Sequence, residues 1–209
     1  MRWTLPNILT LLRLIAAPLV PLMFFYFSRP FADFAALSLF LIAAITDWFD
    51  GYLARAWKQE SLFGAAMDPI ADKAMVVIAL VVITGYSGMN PWLILPATVI
   101  LFREVFVSGL REFLGPNAKK LKVTKLAKWK TTFQMVAISV LFLGTGLNYY
   151  ETGHPPLVGE TSLPWSDSWS DLATQAGLVL IWIAAVLTAL TGADYFIKAL
   201  PYLRDRDAG

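Results

Sequence analysis

The chain has 209 residues, of which 57% are hydrophobic and 15% charged, with a net charge of +2 and no cysteine. That balance excludes a soluble globule of this size and fits one domain in a lipid bilayer. Without cysteine there are no disulfides, no thiolate metal sites and no cysteine nucleophile.

In chain order, the first apolar run is Leu5–Phe27. It is too long for a secretory signal and ends without a small-residue cleavage site, so it reads as a retained span. Further runs long enough for a hydrocarbon core of ~30 Å follow at Phe31–Ala56, Pro69–Tyr86, Pro91–Leu114, Lys128–Tyr149 and Leu172–Leu200. Hydropathy therefore predicts an all-α integral membrane protein, a bundle of six transmembrane helices forming a single domain over residues 1–209. Alternation puts Arg2, Arg55, Lys58, the lysines from Lys119 to Lys130, Lys198, Arg204 and Arg206 on one side. Opposite them stand Arg29, its only basic residue, and Asp33, Glu151, Glu160, Asp167 and Asp171. The positive-inside rule then makes both termini cytoplasmic. The lysine cluster either orients the chain or attracts anionic headgroups and phosphate substrates. Tyr150–Asp171 reads as an external loop with interfacial tryptophans, and His154 as a solvated residue within it.

Carboxylates are the exception to this apolar pattern. On a helical wheel Asp50, Gly51 and Ala54 fall within roughly 60° of Asp47, while Trp48, Phe49, Tyr52 and Leu53 point away. Gly64, Asp68 and Asp72 recur at i, i+4 and i+8 on the next helix, with Pro69 suited to its first turn. The short connection Trp57–Phe63 makes the two helices neighbours, and their acidic stripes can face each other. Asp47 lies ~14 Å along the helix from Ala56, near the cytoplasmic surface. Four clustered carboxylates repel, and Arg55 and Lys73 are too few to neutralise them. Hard oxygen ligands suit Mg²⁺ or Mn²⁺, and two such ions would clamp a diphosphate undergoing in-line displacement. Gly51 and Ala54 either keep the surface low for a ligand or allow close helix packing.

The spacing Asp47-x2-Asp50-Gly51-x2-Ala54-Arg55-x8-Gly64-x3-Asp68-x3-Asp72 resembles in full the signature of the CDP-alcohol phosphatidyltransferase family, eight fixed positions across twenty-six residues. The resemblance implies a six-helix membrane enzyme, usually homodimeric, that moves a phosphatidyl-type group from a CDP-linked donor to an alcohol and releases CMP. It implies that Asp47, Asp50, Asp68 and Asp72 hold two divalent ions and that Asp72 is the general base. Gly51, Ala54, Arg55 and Gly64, with Asn7 and Thr10 of the first helix, would lie at the cytidine nucleotide. Leu5–Leu14, Arg103–Glu112, Ala127–Met135 and Gly192–Phe196 resemble the bacterial members that use sn-glycerol 3-phosphate, although Ala127 replaces a frequent glycine.

On the fourth helix Arg103 and Arg111 lie about 80° apart on the wheel, with Glu104 near the Arg111 direction. Paired guanidiniums suit a phosphate, and Lys130 with Gln134 would add a second wall. An internal Arg–Glu network that only orders the helices is the alternative. Asn7, Thr10 and Arg13 are phosphate or cytidine contacts, or else caps and packing. Asp194 is expected to be buried and paired with a helix neighbour.

The expected chemistry is direct displacement on CDP-diacylglycerol by glycerol 3-phosphate in a bacterial cytoplasmic membrane, with membrane lipids and a second copy as partners and no nucleic acid. Inositol phosphate, serine or phosphatidylglycerol as acceptor would use the same metal site. A divalent-cation transporter is the rival from another class, but it would place its acids near the midplane and carry inverted repeats.

Overall fold

The computed structural model describes residues 4–57, 61–115, 118, 125–154 and 168–204, without the side chains of residues 48, 50–55, 125, 127, 128 and 204. Six α-helices follow in order: α1 Leu5–Tyr26, α2 Phe31–Ala56, α3 Leu62–Tyr86, α4 Pro91–Leu114, α5 Lys125–Thr152 and α6 Trp169–Arg204. Among the described residues, four of them, α1, α4, α5 and α6, contain stretches long and apolar enough to cross a membrane.

Local sequence explains the helix ends. Pro6 stands in the first turn of α1, where its missing N–H costs nothing. Ser61 caps α3, its hydroxyl accepting the Gly64 N–H at 3.0 Å. This start corrects the expectation for Pro69, which lies inside α3 rather than in its first turn. The hydrophobic run reports only the apolar part of the helix, whereas the hydrogen-bonded ladder begins at the polar cap, and the whole Gly64–Asp68–Asp72 stripe is thereby helical. Polar turns likewise extend α5 and α6 beyond their apolar runs. Gly88 adopts a positive φ of 66° just after α3, in the left-handed conformation that closes a helix cheaply only for glycine.

Two compact units divide the chain, Met1–Asn90 with Ile138–Gly177, and Pro91–Ala137 with Leu178–Gly209. In the first, α1 packs on both α2 and α3. Its interior is built from small side chains, with Ala17, Ala32, Ala36, Ala71 and Ala79 fully buried, filled by the pair Phe40 and Phe142. Gly177 leaves room for Leu141, whose Cγ would stand 2.8 Å from an added Cβ. Such close approach is how helices associate where no hydrophobic effect separates core from solvent.

In the second unit Val107 and Leu114 pack with Tyr195 and Ala199, and Leu110, Tyr202 and Leu203 surround them. Phe106 lies 5.5 Å from Phe196, and the Trp182 indole donates to the Trp92 carbonyl at 2.9 Å. Large apolar side chains such as Phe102, Val105 and Ile197 remain exposed.

Candidate active site

The buried stripe of α1 is partly polar: Asn7, Thr10 and Arg13 precede Ala17 and Val20 on the same face. In a helix otherwise almost wholly apolar, polar groups on the inner face need partners from the neighbouring helices. The α2 and α3 aspartates provide them for Thr10 and Arg13, and Ser61 does so for Asn7.

Arg13 is the centre of this group. One of its terminal nitrogens donates to Asp47 Oδ1 and to Asp72 Oδ1, and the other lies 3.7 Å from Asp68 Oδ1. Thr10 donates to Asp68 Oδ1 at 2.6 Å. Asn7 Oδ1 accepts from the Ser61 hydroxyl at 2.7 Å, which links the first turn of α1 to the cap of α3. Gly64 is buried between them: a Cβ there would stand 3.0 Å from Asn7 Oδ1 and 3.9 Å from Asp68 Oδ2. The guanidinium is 2% exposed while the three aspartates are 39–43% exposed, so the carboxylates meet the outside and the arginine backs them.

Asp47, Asp68 and Asp72 are therefore brought together from two helices, as the wheel predicts. Thr10, Asn7 and Gly64 line the same group. The side chains of Asp50, Gly51, Ala54 and Arg55 lie outside the described residues, although their backbone continues α2. What the wheel cannot supply is the cation: phosphate or cytidine contact and capping or packing were both open for Arg13, and here it packs inside the carboxylate cluster. Its signal was available in part, since Asn7, Thr10 and Arg13 share one face at i, i+3 and i+6.

One guanidinium cannot neutralise three carboxylates. Among the described residues no three acidic groups are gathered as ligands round one ion. The donor set is nevertheless chemically suited to Mg²⁺ or Mn²⁺: hard carboxylate oxygens, fixed on rigid helices and open on one side.

The second unit holds another charged group. Lys130 donates to Glu104 Oε1, and Arg103 lies 3.3 Å from the same oxygen. Lys130 is 5% exposed and Glu104 9%. The internal Arg–Glu pairing is thus present, with Arg103 rather than Arg111 as the partner. Arg111 is exposed in the last turn of α4. Gly192 makes space for Arg103, whose Cγ would lie 2.9 Å from an added Cβ. Asp194, expected to be buried, is instead 43% exposed and paired with Lys198 at 2.6 Å, one turn along the outer face of α6.

Residues 3–190 match the family profile described as CDP-alcohol phosphatidyltransferase. The chain is 63% identical to the CDP-diacylglycerol--glycerol-3-phosphate 3-phosphatidyltransferase of Cereibacter sphaeroides, over 98% of this chain and 99% of that protein. Proteins of the same name from Rickettsia bellii and Escherichia coli (strain K12) are 39% and 36% identical, over 95% and 99% of this chain and 96% and 100% of theirs. With Asp47, Asp68 and Asp72 gathered at one arginine and the match running through nearly the whole length, the chain belongs to the CDP-alcohol phosphatidyltransferase family.

Proposed function

We propose that the chain transfers the phosphatidyl group of CDP-diacylglycerol to sn-glycerol 3-phosphate, releasing CMP and forming phosphatidylglycerol phosphate. The observation that carries this reading is the meeting of Asp47, Asp68 and Asp72 beside Arg13 and Thr10, in a chain whose relatives bear that activity in their name.

Asp47, Asp68 and Asp72, with Asp50 completing the signature, are the residues that hold divalent metal. When bound there, two Mg²⁺ or Mn²⁺ ions would supply positive charge against the donor's diphosphate and the leaving CMP. Asp72 takes the proton of the acceptor's 1-hydroxyl. The freed oxygen forms a bond to the phosphorus bearing the diacylglycerol, and the bond from that phosphorus to the oxygen of CMP breaks. No covalent enzyme intermediate is required. Arg13 and Thr10 hold the carboxylates in place, and Asn7, Gly51, Ala54, Arg55 and Gly64 receive the cytidine nucleotide. Arg103 and Lys130, with Arg111 at the helix end, bind the acceptor's phosphate, a task suited to fixed guanidinium and ammonium donors.

The chain acts as a single catalytic domain of six transmembrane helices in a bacterial inner membrane, as a homodimer among membrane lipids. Both termini and the active site face the cytoplasm, where the soluble acceptor is found.

The test is CMP release by purified protein given CDP-diacylglycerol and Mg²⁺ or Mn²⁺. Release is expected with glycerol 3-phosphate and not with inositol phosphate, serine or phosphatidylglycerol. Release with only one of the others would keep the metal site and refute the acceptor. No release with any of them would refute the reaction.

A further inference from the structure

Four buried side-chain atoms in the second unit have no hydrogen-bond partner among the described residues: Arg103 Nε on α4, Gln134 Oε1 on α5, and Thr188 Oγ and Tyr195 Oη on α6. Gln134 is 3% exposed, Thr188 fully buried and Tyr195 8% exposed. Each such group has given up its hydration without a replacement partner, and an apolar bundle offers little water to relieve it. Native structures keep few of these, and several within one unit need an explanation.

They are not scattered. Gln134 follows Lys130 by one turn on the buried face of α5, and Lys130 reaches Glu104, the neighbour of Arg103. Arg103 lies on Gly192, which is one turn from Thr188 and one turn from Tyr195 along α6. Each unsatisfied atom thus lies on Arg103 itself or one helical turn from Lys130 or from the Gly192 that packs on Arg103, the charged group already assigned to the acceptor.

Their chemistry is complementary to a particular kind of molecule. Arg103 Nε is a donor and needs an acceptor, which a phosphate oxygen supplies. Gln134 Oε1 is an acceptor and needs a donor, which a phosphate dianion cannot supply but a hydroxyl can. A hydroxyl also serves the amide in either orientation, because it donates and accepts. The ligand that satisfies both is an alcohol phosphate with a hydroxyl to spare. In glycerol 3-phosphate the 1-hydroxyl is consumed by the reaction, which leaves the 2-hydroxyl.

We infer that Gln134 is a specificity-determining residue that receives the 2-hydroxyl of the acceptor. This rests on the reading of Arg103 and Lys130 as the phosphate site. A pocket built to hydrogen-bond a substrate hydroxyl rejects the analogue that lacks it, because its own buried polar atom is then left unpaired.

The experiment compares kcat/KM for glycerol 3-phosphate and 3-hydroxypropyl phosphate, which keeps the reacting hydroxyl and the phosphate but lacks the 2-hydroxyl. The intact protein is expected to prefer glycerol 3-phosphate by about tenfold to a hundredfold. In Gln134→Leu and Gln134→Met that ratio falls below about threefold. Thermal unfolding without substrate is expected to be unchanged or later in both variants, since an unpaired buried amide gives way to an apolar side chain of similar size. An undiminished ratio in the variants, or no preference in the intact protein, overturns the proposal. Earlier unfolding with equal loss on both substrates overturns it in favour of a purely structural glutamine. Lys130→Met reports separately on the underlying reading: it should raise KM for both substrates while preserving the ratio, and an unchanged KM for both would refute the phosphate site itself.

Discussion

Asp72 shares the Arg13 guanidinium with Asp47, and asparagine at position 72 would keep the side chain's size while removing its charge and basicity. If Asp72 accepts the acceptor's proton, Asp72→Asn should lower CMP release by about 10²–10⁴-fold, the usual worth of a positioned general base. Binding of CDP-diacylglycerol, followed by its displacement of a fluorescent nucleotide lipid, should change only a few-fold. Near-normal turnover would remove Asp72 from the reaction, and loss of binding in parallel with turnover would make it a binding residue only. At this scale much of the site was legible. Spacing at 100° per residue puts Asp68 and Asp72 on one face of α3 and Asp47 on the facing stripe of α2. Arg13 was legible as a polar residue on an apolar helix but not as the aspartates' partner. Periodicity tells which face of a helix is special, and the neighbour of that face is decided by tertiary packing. The same limit applies to Glu104, whose partner proved to be Arg103 and a lysine on another helix.

Helices α1, α2, α3 and α5 are tied at one end by a single cation. Arg29 donates to both carboxylate oxygens of Asp33, at 2.8 and 2.6 Å, and its guanidinium stands 5.9, 5.3 and 5.0 Å from the ring centres of Phe24, Tyr86 and Tyr149. Asp33 is fully buried, and the backbone of Gly146 comes so near that a Cβ there would meet the Asp33 Cβ at 3.1 Å. Removing one member of such a pair leaves a buried charge without its counterpart. Arg29→Ala should therefore cost about 3 kcal/mol, which for a chain of this length lowers the unfolding temperature in detergent by roughly 6–12 °C. Arg29→Met combined with Asp33→Leu should recover most of that loss, because a well-packed apolar pair of similar volume replaces both charges. Equal destabilisation in the single and double variants would show that the clasp works through packing rather than charge. Neither Arg29 nor Asp33 was singled out in the sequence except as loop charges. The helices themselves were read well where an apolar run ends at a proline or a turn, as for α2 and α4. They were read short where the ladder continues through polar residues, as at the start of α3, where Ser61 rather than hydropathy sets the boundary.

The distribution of basic residues over the whole chain has a consequence that can be measured directly. Lysines and arginines placed by alternation on one side outnumber the single Arg29 on the other, and short loops bearing that excess stay in the cytoplasm. On the proposed topology of six crossings, the connection after α2 lies inside and the connection after α5 outside. The chain has no cysteine, so each single substitution provides a unique thiol without any background to remove. Trp57 follows α2 and His154 follows α5, and both side chains are exposed. Trp57→Cys should react with a membrane-impermeant maleimide only after the inner membrane is opened, and His154→Cys should react in cells with only the outer barrier permeabilised. Labelling of both from the same side would require an odd number of crossings between them to be lost, and with it the six-span bundle. Labelling with the sides exchanged would keep the spans but put the aspartates on the outer face, away from a soluble phosphorylated acceptor in the cytoplasm. Only the expected pattern lets the lipid donor and that acceptor meet at Asp47, Asp68 and Asp72, so topology is tested here independently of any assay of turnover.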